Sequence, residues 1–332
     1  MEGSTAMQDP VLSVRNLTVH YIKDKTTVRA VNGLSFDLAD GETLGLVGET
    51  GAGKTTTALS IMRLIPNPPG RIVGGEIFFK GRNILGYDKY ALHRMRGRDI
   101  SMIFQDPMTS LNPVLKVGDQ IAEVIRIHKK LSAKDANLEA VKMLEMVGIT
   151  ADRFNDYPHQ FSGGMKQRVI IAISLACNPK VLIADEPTTA LDVTIQAQVL
   201  EMMGELKRNF NTSMILISHD LGVIAEVCNR VGIMYAGNIV EIGTLEQIYN
   251  SAFHPYTKGL FGSLPDLDVE TDRLRPITGL MPDPSRLPAG CAFFPRCPER
   301  VESCKAGLPE ARELAPGHSV RCVHASCAQE MK

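Results

Sequence analysis

Eight residues, Gly48-Glu49-Thr50-Gly51-Ala52-Gly53-Lys54-Thr55, constrain this chain more than any others. They fit the phosphate-cradling pattern G-x-x-x-x-G-K-[ST]. The glycines let the backbone turn tightly enough for successive N–H groups to point inward at an anion. Lys54 then reaches the β- and γ-phosphates of a nucleotide and Thr55 sets a hydroxyl on Mg²⁺. A helix through Thr56 and Thr57 presents its positive dipole end to the phosphates. The flanks agree: Thr43-Leu44-Gly45-Leu46-Val47 suits a buried parallel strand, and Leu59, Met62 and Ile65 follow at helical spacing. That helix is expected to run towards Leu64 and to stop at Pro66 and Pro68.

At 332 residues the chain can bury one good-sized core and add a smaller unit. Lys and Arg number 36 against 37 Asp and Glu, a net charge of -1, which argues against a partner held by neutralising nucleic-acid phosphates. The apolar stretch from Val169 to Pro179 is far short of the ~20 residues a membrane helix needs. Met1 to Met7 lacks a basic region followed by an apolar core, so no secretory signal is read there and a cytoplasmic protein is expected. Residues 1–10 are expected to form a flexible leader.

From Val11 to Asp40 short alternating runs, Leu12–Val14, Leu17–Tyr21, Val28–Val31 and Leu34–Leu38, predict β-strands joined by turns. Tyr21 closes one of them, either as an ordinary strand-end ring or as one open to a ligand. A further strand is expected over Gly74–Gly81, and another over Ile100–Phe104, ending at Gln105. Helices then take over: Val117, Ile121, Val124 and Ile125 share a face, and Ser132-Ala133-Lys134-Asp135 reads as a capping box. The helix it opens is expected to bury Leu138, Val141, Leu144 and Val147 and to stop at Gly148.

Ser162-Gly163-Gly164 opens a second anion-ready helix start, ahead of the apolar run Val169–Cys177. Two phosphate sites on one domain make sense if this one serves a nucleotide held by another subunit. The run Val181–Ala184 ends in Asp185-Glu186, a central strand delivering carboxylates to the sheet edge where ligands bind. Asp185 suits Mg²⁺ and Glu186 suits an attacking water. Ser213–Ser218 likewise runs into His219. Strands ending at Gln105, Glu186 and His219 predict one convergent site.

The order of these motifs resembles the ATP-binding subunits of ABC transporters over residues 11–250. In that resemblance Gly48–Thr55 is the Walker A loop, Gln105 the Q-loop glutamine and a Mg²⁺ neighbour, and Ser162-Gly163-Gly164-Met165-Lys166-Gln167 the signature. Val181–Asp185 is Walker B, Glu186 the catalytic glutamate, Thr189–Asp192 the D-loop and His219 the switch histidine. It implies an α/β P-loop NTPase core with an antiparallel β subdomain and a helical insert at about residues 106–170. It also implies that Tyr21 stacks on adenine and that two such domains sandwich each ATP, with Ser162, Gly163 and Gly164 reaching the partner's γ-phosphate. Met165 departs from the family's frequent Gln, without touching the Ser-Gly-Gly donors. The isolated chain should therefore bind ATP better than it hydrolyses it.

Residues 251–332 are expected to be a separate extension. His254–Leu260, Pro276–Gly279 and Leu287–Cys297 look like the C-terminal extension of oligopeptide, dipeptide and nickel importer ATPases. The resemblance implies two permease subunits, a second ATPase subunit, an extracytoplasmic binding protein and a peripheral position on the cytoplasmic face of the inner membrane. A nickel or other small-solute importer, or a non-transport ABC ATPase, is the alternative.

Five of seven cysteines lie in the last 42 residues. Cys291, Cys297, Cys304 and Cys322 are separated by five, six and seventeen residues, which matches neither zinc pairs nor common ferredoxin runs. Spacing leaves free thiols and a four-cysteine metal site both open. The resemblance implies a [4Fe–4S] cluster on these four, with Cys327 as the spare thiol.

Overall fold

The computed structural model describes residues 9–106, 110–189, 191–263 and 277–325. Residues 1–8 of the expected leader, Ala190 of the D-loop, Pro276 and Cys327 lie outside them. In chain order the elements are β1 (Leu12–Lys23), β2 (Thr26–Leu38), β3 (Thr43–Val47), α1 (Lys54–Ile61), β4 (Gly70–Phe79), β5 (Arg82–Asn83), α2 (Lys89–Met95) and β6 (Ile100–Ile103). There follow α3 (Val117–Lys129), α4 (Ala133–Met146), α5 (Gly163–Leu175), β7 (Val181–Asp185), α6 (Val193–Phe210) and β8 (Ser213–Ile217). The remainder are α7 (Leu221–Val227), β9 (Arg230–Tyr235), β10 (Asn238–Thr244), α8 (Leu245–Asn250), α9 (Pro255–Phe261), β11 (Arg312–Ala315) and β12 (His318–Val320). No helix among the described residues is long and apolar enough to cross a membrane.

The chain divides into two compact units that alternate along the sequence. One comprises residues up to Ser13, Asp37–Thr43 and Ile77–Ser218. Its parallel strands run β8-β7-β6, with Val181 opposite both Ile100 and Ser213. Every residue of these three strands is buried, as expected of parallel strands covered on both faces. Beside them α3 packs on α4. Ser132 caps α4 by accepting from the Asp135 N–H at 3.2 Å, and Gly148 at φ 73° follows its end, as the sequence predicts.

The expected stripe holds in part: Leu144 and Val147 are fully buried and Val141 half-buried, whereas Leu138 is 55% exposed and Ala136, Ala140 and Met143 complete the buried face. Steps of three residues drift around a helix of 3.6 residues per turn, so 138, 141, 144 and 147 cannot stay on one face. Ala140, Met143, Leu144 and Val147 follow the helical period instead.

The other unit comprises Val14–Phe36, Leu44–Glu76 and the chain from His219 onward. Here β3 lies parallel to β9, and β9, β10, β12 and β11 follow as antiparallel neighbours. The expected short strands at the N-terminal end are two long ones, of 12 and 13 residues, joined at Asp24-Lys25. Asn16 at φ 49° interrupts the regularity within β1, where its N–H bonds Ser35 Oγ across the pair at 2.8 Å, so the polar break is bridged and the strand continues. Helix α1 ends at Ile61, short of the prolines, because Arg63 turns into the left-handed region at φ 54°.

One buried carboxylate ties the C-terminal segment into this sheet. Glu241 of β10 is fully buried and accepts from the N–H groups of Phe253 (2.7 Å) and His254 (2.9 Å) and pairs with His318 Nε2 of β12 (2.8 Å).

Candidate functional site

In the second unit, the five buried residues of β3 deliver the chain into the glycine loop. Gly53 caps α1 at φ 98°, and a Cβ there would lie 2.4 Å from the Ala30 carbonyl, so only glycine fits. Lys54 is buried, with Nζ donating to the carbonyls of Gly48 (2.6 Å) and Glu49 (3.1 Å). The ammonium therefore sits inside the curve of the loop. Thr50, Gly51 and Thr55 are exposed, Thr56 is half-buried and Ala52 is buried. Tyr21 is half-buried on β1, its ring edge close against Gly70. His219 belongs to this unit too and is exposed.

In the first unit, β7 ends at buried Asp185, and Glu186 then turns into the left-handed region at φ 48°. For a residue with a side chain that backbone costs about 1–2 kcal/mol, and such strain collects where function requires a particular side-chain direction. The Glu186 N–H bonds the Ile217 carbonyl at 2.9 Å, which pins the turn to β8. Its carboxylate accepts from Gln105 Nε2 at 2.8 Å and Thr189 Oγ1 at 3.1 Å. Two of the three predicted strand-end residues are thus in direct contact, although 81 positions apart.

Ser162 caps α5 by accepting from the Met165 N–H at 3.4 Å. Ser162 and Gly163 are exposed and Gly164 and Met165 half-buried, whereas Gln167 is fully buried. Asp192 is the N-cap of α6, its carboxylate accepting from the Ile195 N–H at 2.9 Å.

The C-terminal cysteines converge. Cys291, Cys297, Cys304 and Cys322 line one small cavity with His254, and none of the four is in a disulfide. Burial raises the thiols of Cys291 and Cys297 and, reinforced by the neighbouring cysteines, pushes Cys322 up to about 11. Among the described residues, however, no group of three or more His, Cys, Asp or Glu side chains is placed to hold a metal ion, so the expected iron–sulfur site is not supported by a ready-made ion cage.

Tyr256 and Arg296 lie inside the C-terminal stretches His254–Leu260 and Leu287–Cys297, where the sequence assigns neither a role. Both reach the glycine loop. The Glu49 N–H bonds the Tyr256 hydroxyl at 3.1 Å, and Arg296 grips the Glu49 carboxylate through two contacts of 2.9 and 3.1 Å. Position 49 thus faces the C-terminal segment. The one available clue was an arginine fixed between two cysteines of a compact turn.

A buried strand running into a glycine loop, and another ending in paired carboxylates, define a P-loop nucleotide hydrolase of the ATP-binding cassette type. The fold agrees with the ATP-binding cassette MJ0796, solved as a dimer in a post-hydrolysis state with ADP and Pi, at a TM-score of 0.64 and 24% identity over 70% of this chain and 98% of that one. The family description "ABC transporter" matches residues 31–189, and "Oligopeptide/dipeptide transporter, C-terminal region" matches residues 240–304. The dipeptide transport ATP-binding protein DppD of Bacillus subtilis is 51% identical over 95% of this chain and 94% of its own length. The oligopeptide transport ATP-binding protein AppD of the same organism is 48% identical over 94% and 96%. The chain belongs to the ATP-binding subunits of ABC transporters, in the oligopeptide/dipeptide branch.

Proposed function

We propose that this chain is the ATP-hydrolysing motor of a di- and oligopeptide importer, acting peripherally at the cytoplasmic face of the membrane. It works with two permease subunits, a second ATPase subunit and an extracytoplasmic binding protein. The observation that carries the hydrolytic part is the contact of Gln105 with Glu186 at 2.8 Å, which aims a carboxylate at the end of the strand bearing Asp185. Glu186 takes the proton of the attacking water, and His219 assists at the γ-phosphate. Lys54 and the N–H groups of the loop neutralise charge on the transferred phosphoryl group. Thr55, Gln105 and Asp185 offer the hard oxygen donors that Mg²⁺ prefers, and Tyr21 stacks on the base.

Ser162 and Gly163, exposed at the start of a 13-residue helix, suit the γ-phosphate of a nucleotide held by the neighbouring ATPase subunit. Met165 and buried Gln167 support that turn, and Asp192 shapes the adjoining D-loop. The permeases dock on the helical region, where Val114 is 75% exposed. The peptide cargo is supported by the names of the relatives. ATP-dependent uptake of a labelled dipeptide into proteoliposomes holding the assembled importer is expected, and Lys54→Ala should abolish it. Undiminished uptake in that variant would sink the reading.

The same reading gives Cys291, Cys297, Cys304 and Cys322 to a [4Fe–4S] cluster, supported by their shared cavity. Anaerobically purified protein should then be brown, with visible absorbance that Cys291→Ser removes. Colourless anaerobic protein with four titratable thiols at these positions would exclude the cluster.

A further inference from the structure

An acid at the second position of a phosphate loop is chemically awkward. The loop collects N–H dipoles and Lys54 to attract an anion, and a carboxylate beside them repels the same anion. At Glu49 the structure answers that repulsion from the C-terminal segment. Arg296 is 6% exposed and Glu49 31%, and the guanidinium meets both carboxylate oxygens in a fork. The rest of the guanidinium is committed as well: Nε donates to the Thr278 carbonyl (3.1 Å) and the two terminal nitrogens to Tyr235 Oη (3.3 Å) and the Ile277 carbonyl (3.4 Å). Burial alone would lower the arginine's proton affinity, yet its bonds to Glu49 and Tyr235 raise it above the ordinary value.

The surroundings are closely packed. Tyr235, Tyr256 and Phe293 pack ring against ring with centroids 4.6 to 5.4 Å apart, Tyr235 and Phe293 edge to face and the other two pairs tilted, and all three are almost wholly buried. Tyr256 takes the Glu49 N–H, so residue 49 is fixed at backbone and side chain together. Nearby, the Met281 methyl lies 2.8 Å from where a side chain on Gly51 would begin.

We propose that Arg296 is a positioning residue for the phosphate loop, drawing the Glu49 carboxylate back against the C-terminal segment and cancelling its charge so that the loop meets a polyphosphate without a competing anion. This rests on the reading of Gly48–Thr55 as the nucleotide loop. The consequence is a penalty that grows with phosphate charge once the arginine is gone.

The test is equilibrium binding of MgATP and MgADP to the full-length chain as wild type, Arg296→Met, Arg296→Lys and the double variant Arg296→Met/Glu49→Gln, with Lys54→Ala as a separate control. Arg296→Met should weaken ATP about tenfold and ADP less, with the gap narrowing at high salt. In turnover the loss should fall mainly on KM. Arg296→Lys, keeping the charge but not the fork, should fall in between. The double variant should recover most of the lost ATP affinity, which a purely structural role for the arginine would not permit. Equal ATP affinity in wild type and Arg296→Met, or a double variant as weak as the single one, would overturn the proposal. If Arg296→Met does not fold, Arg296→Lys carries the test: a several-fold loss reversed by Glu49→Gln supports it, and unchanged ATP affinity overturns it. Full ATP affinity in Lys54→Ala would instead remove the nucleotide-loop reading itself.

Discussion

The glycine loop at Gly48–Lys54 and the acid turn at Asp185–Thr189 each leave the end of a five-residue apolar strand, but they are supported differently. The loop is braced from behind: Tyr256 and Arg296 hold Glu49. The acid turn is tied to close neighbours, Ile217, Thr189 and Gln105, and keeps a left-handed backbone at Glu186. The first arrangement suits a binding surface formed before its ligand arrives. The second suits a group whose direction matters more than its rigidity, since a proton acceptor works only where the water is.

The sharpest way to break this contrast is Glu186→Gln. Turnover should fall about a thousandfold, within the range of a lost general base, while MgATP binding persists. Wild-type-like turnover would take the base away from the acid turn. Next in size is Glu241→Ala, which leaves His318 and two buried N–H groups without their shared acceptor. Thermal unfolding should show a loss of about 3 kcal/mol. A loss under about 1 kcal/mol would mean that this carboxylate is not what ties the C-terminal segment to the sheet. Thr189→Val removes one bond to Glu186 and should slow turnover about fivefold, equivalent to about 1 kcal/mol. An unchanged rate would leave Gln105 as the effective support of the acid turn.

The smallest effect concerns the exposed side of α4. Leu138→Gln should change stability by no more than about 0.5 kcal/mol, as for an exposed site. A loss above about 2 kcal/mol would restore Leu138 to the core.

What was legible in the sequence is what has a local pattern. Apolar runs at Thr43–Val47 and Val181–Asp185 announce buried strands, and the residues at their ends mark where the candidate site lies. The Ser132 cap and the Gly148 stop were equally local. On α4 the sequence marks Leu144 and Val147 but overrates Leu138, because Ala136 and Ala140 give a faint hydrophobic signal that the louder Leu138 masks. The brace on the loop was out of reach for another reason: Arg296 and Glu49 are 247 positions apart, and neither stands in a pattern that points to the other.

That separation gives the pair a hereditary meaning. An acid at 49 is tolerable only in a chain that also supplies its arginine, so the two positions should be gained and lost together across lineages. A chimaera joining the front of one relative to the tail of another should bind nucleotide normally when both halves keep the pair or both lack it, and poorly when only the acid is inherited.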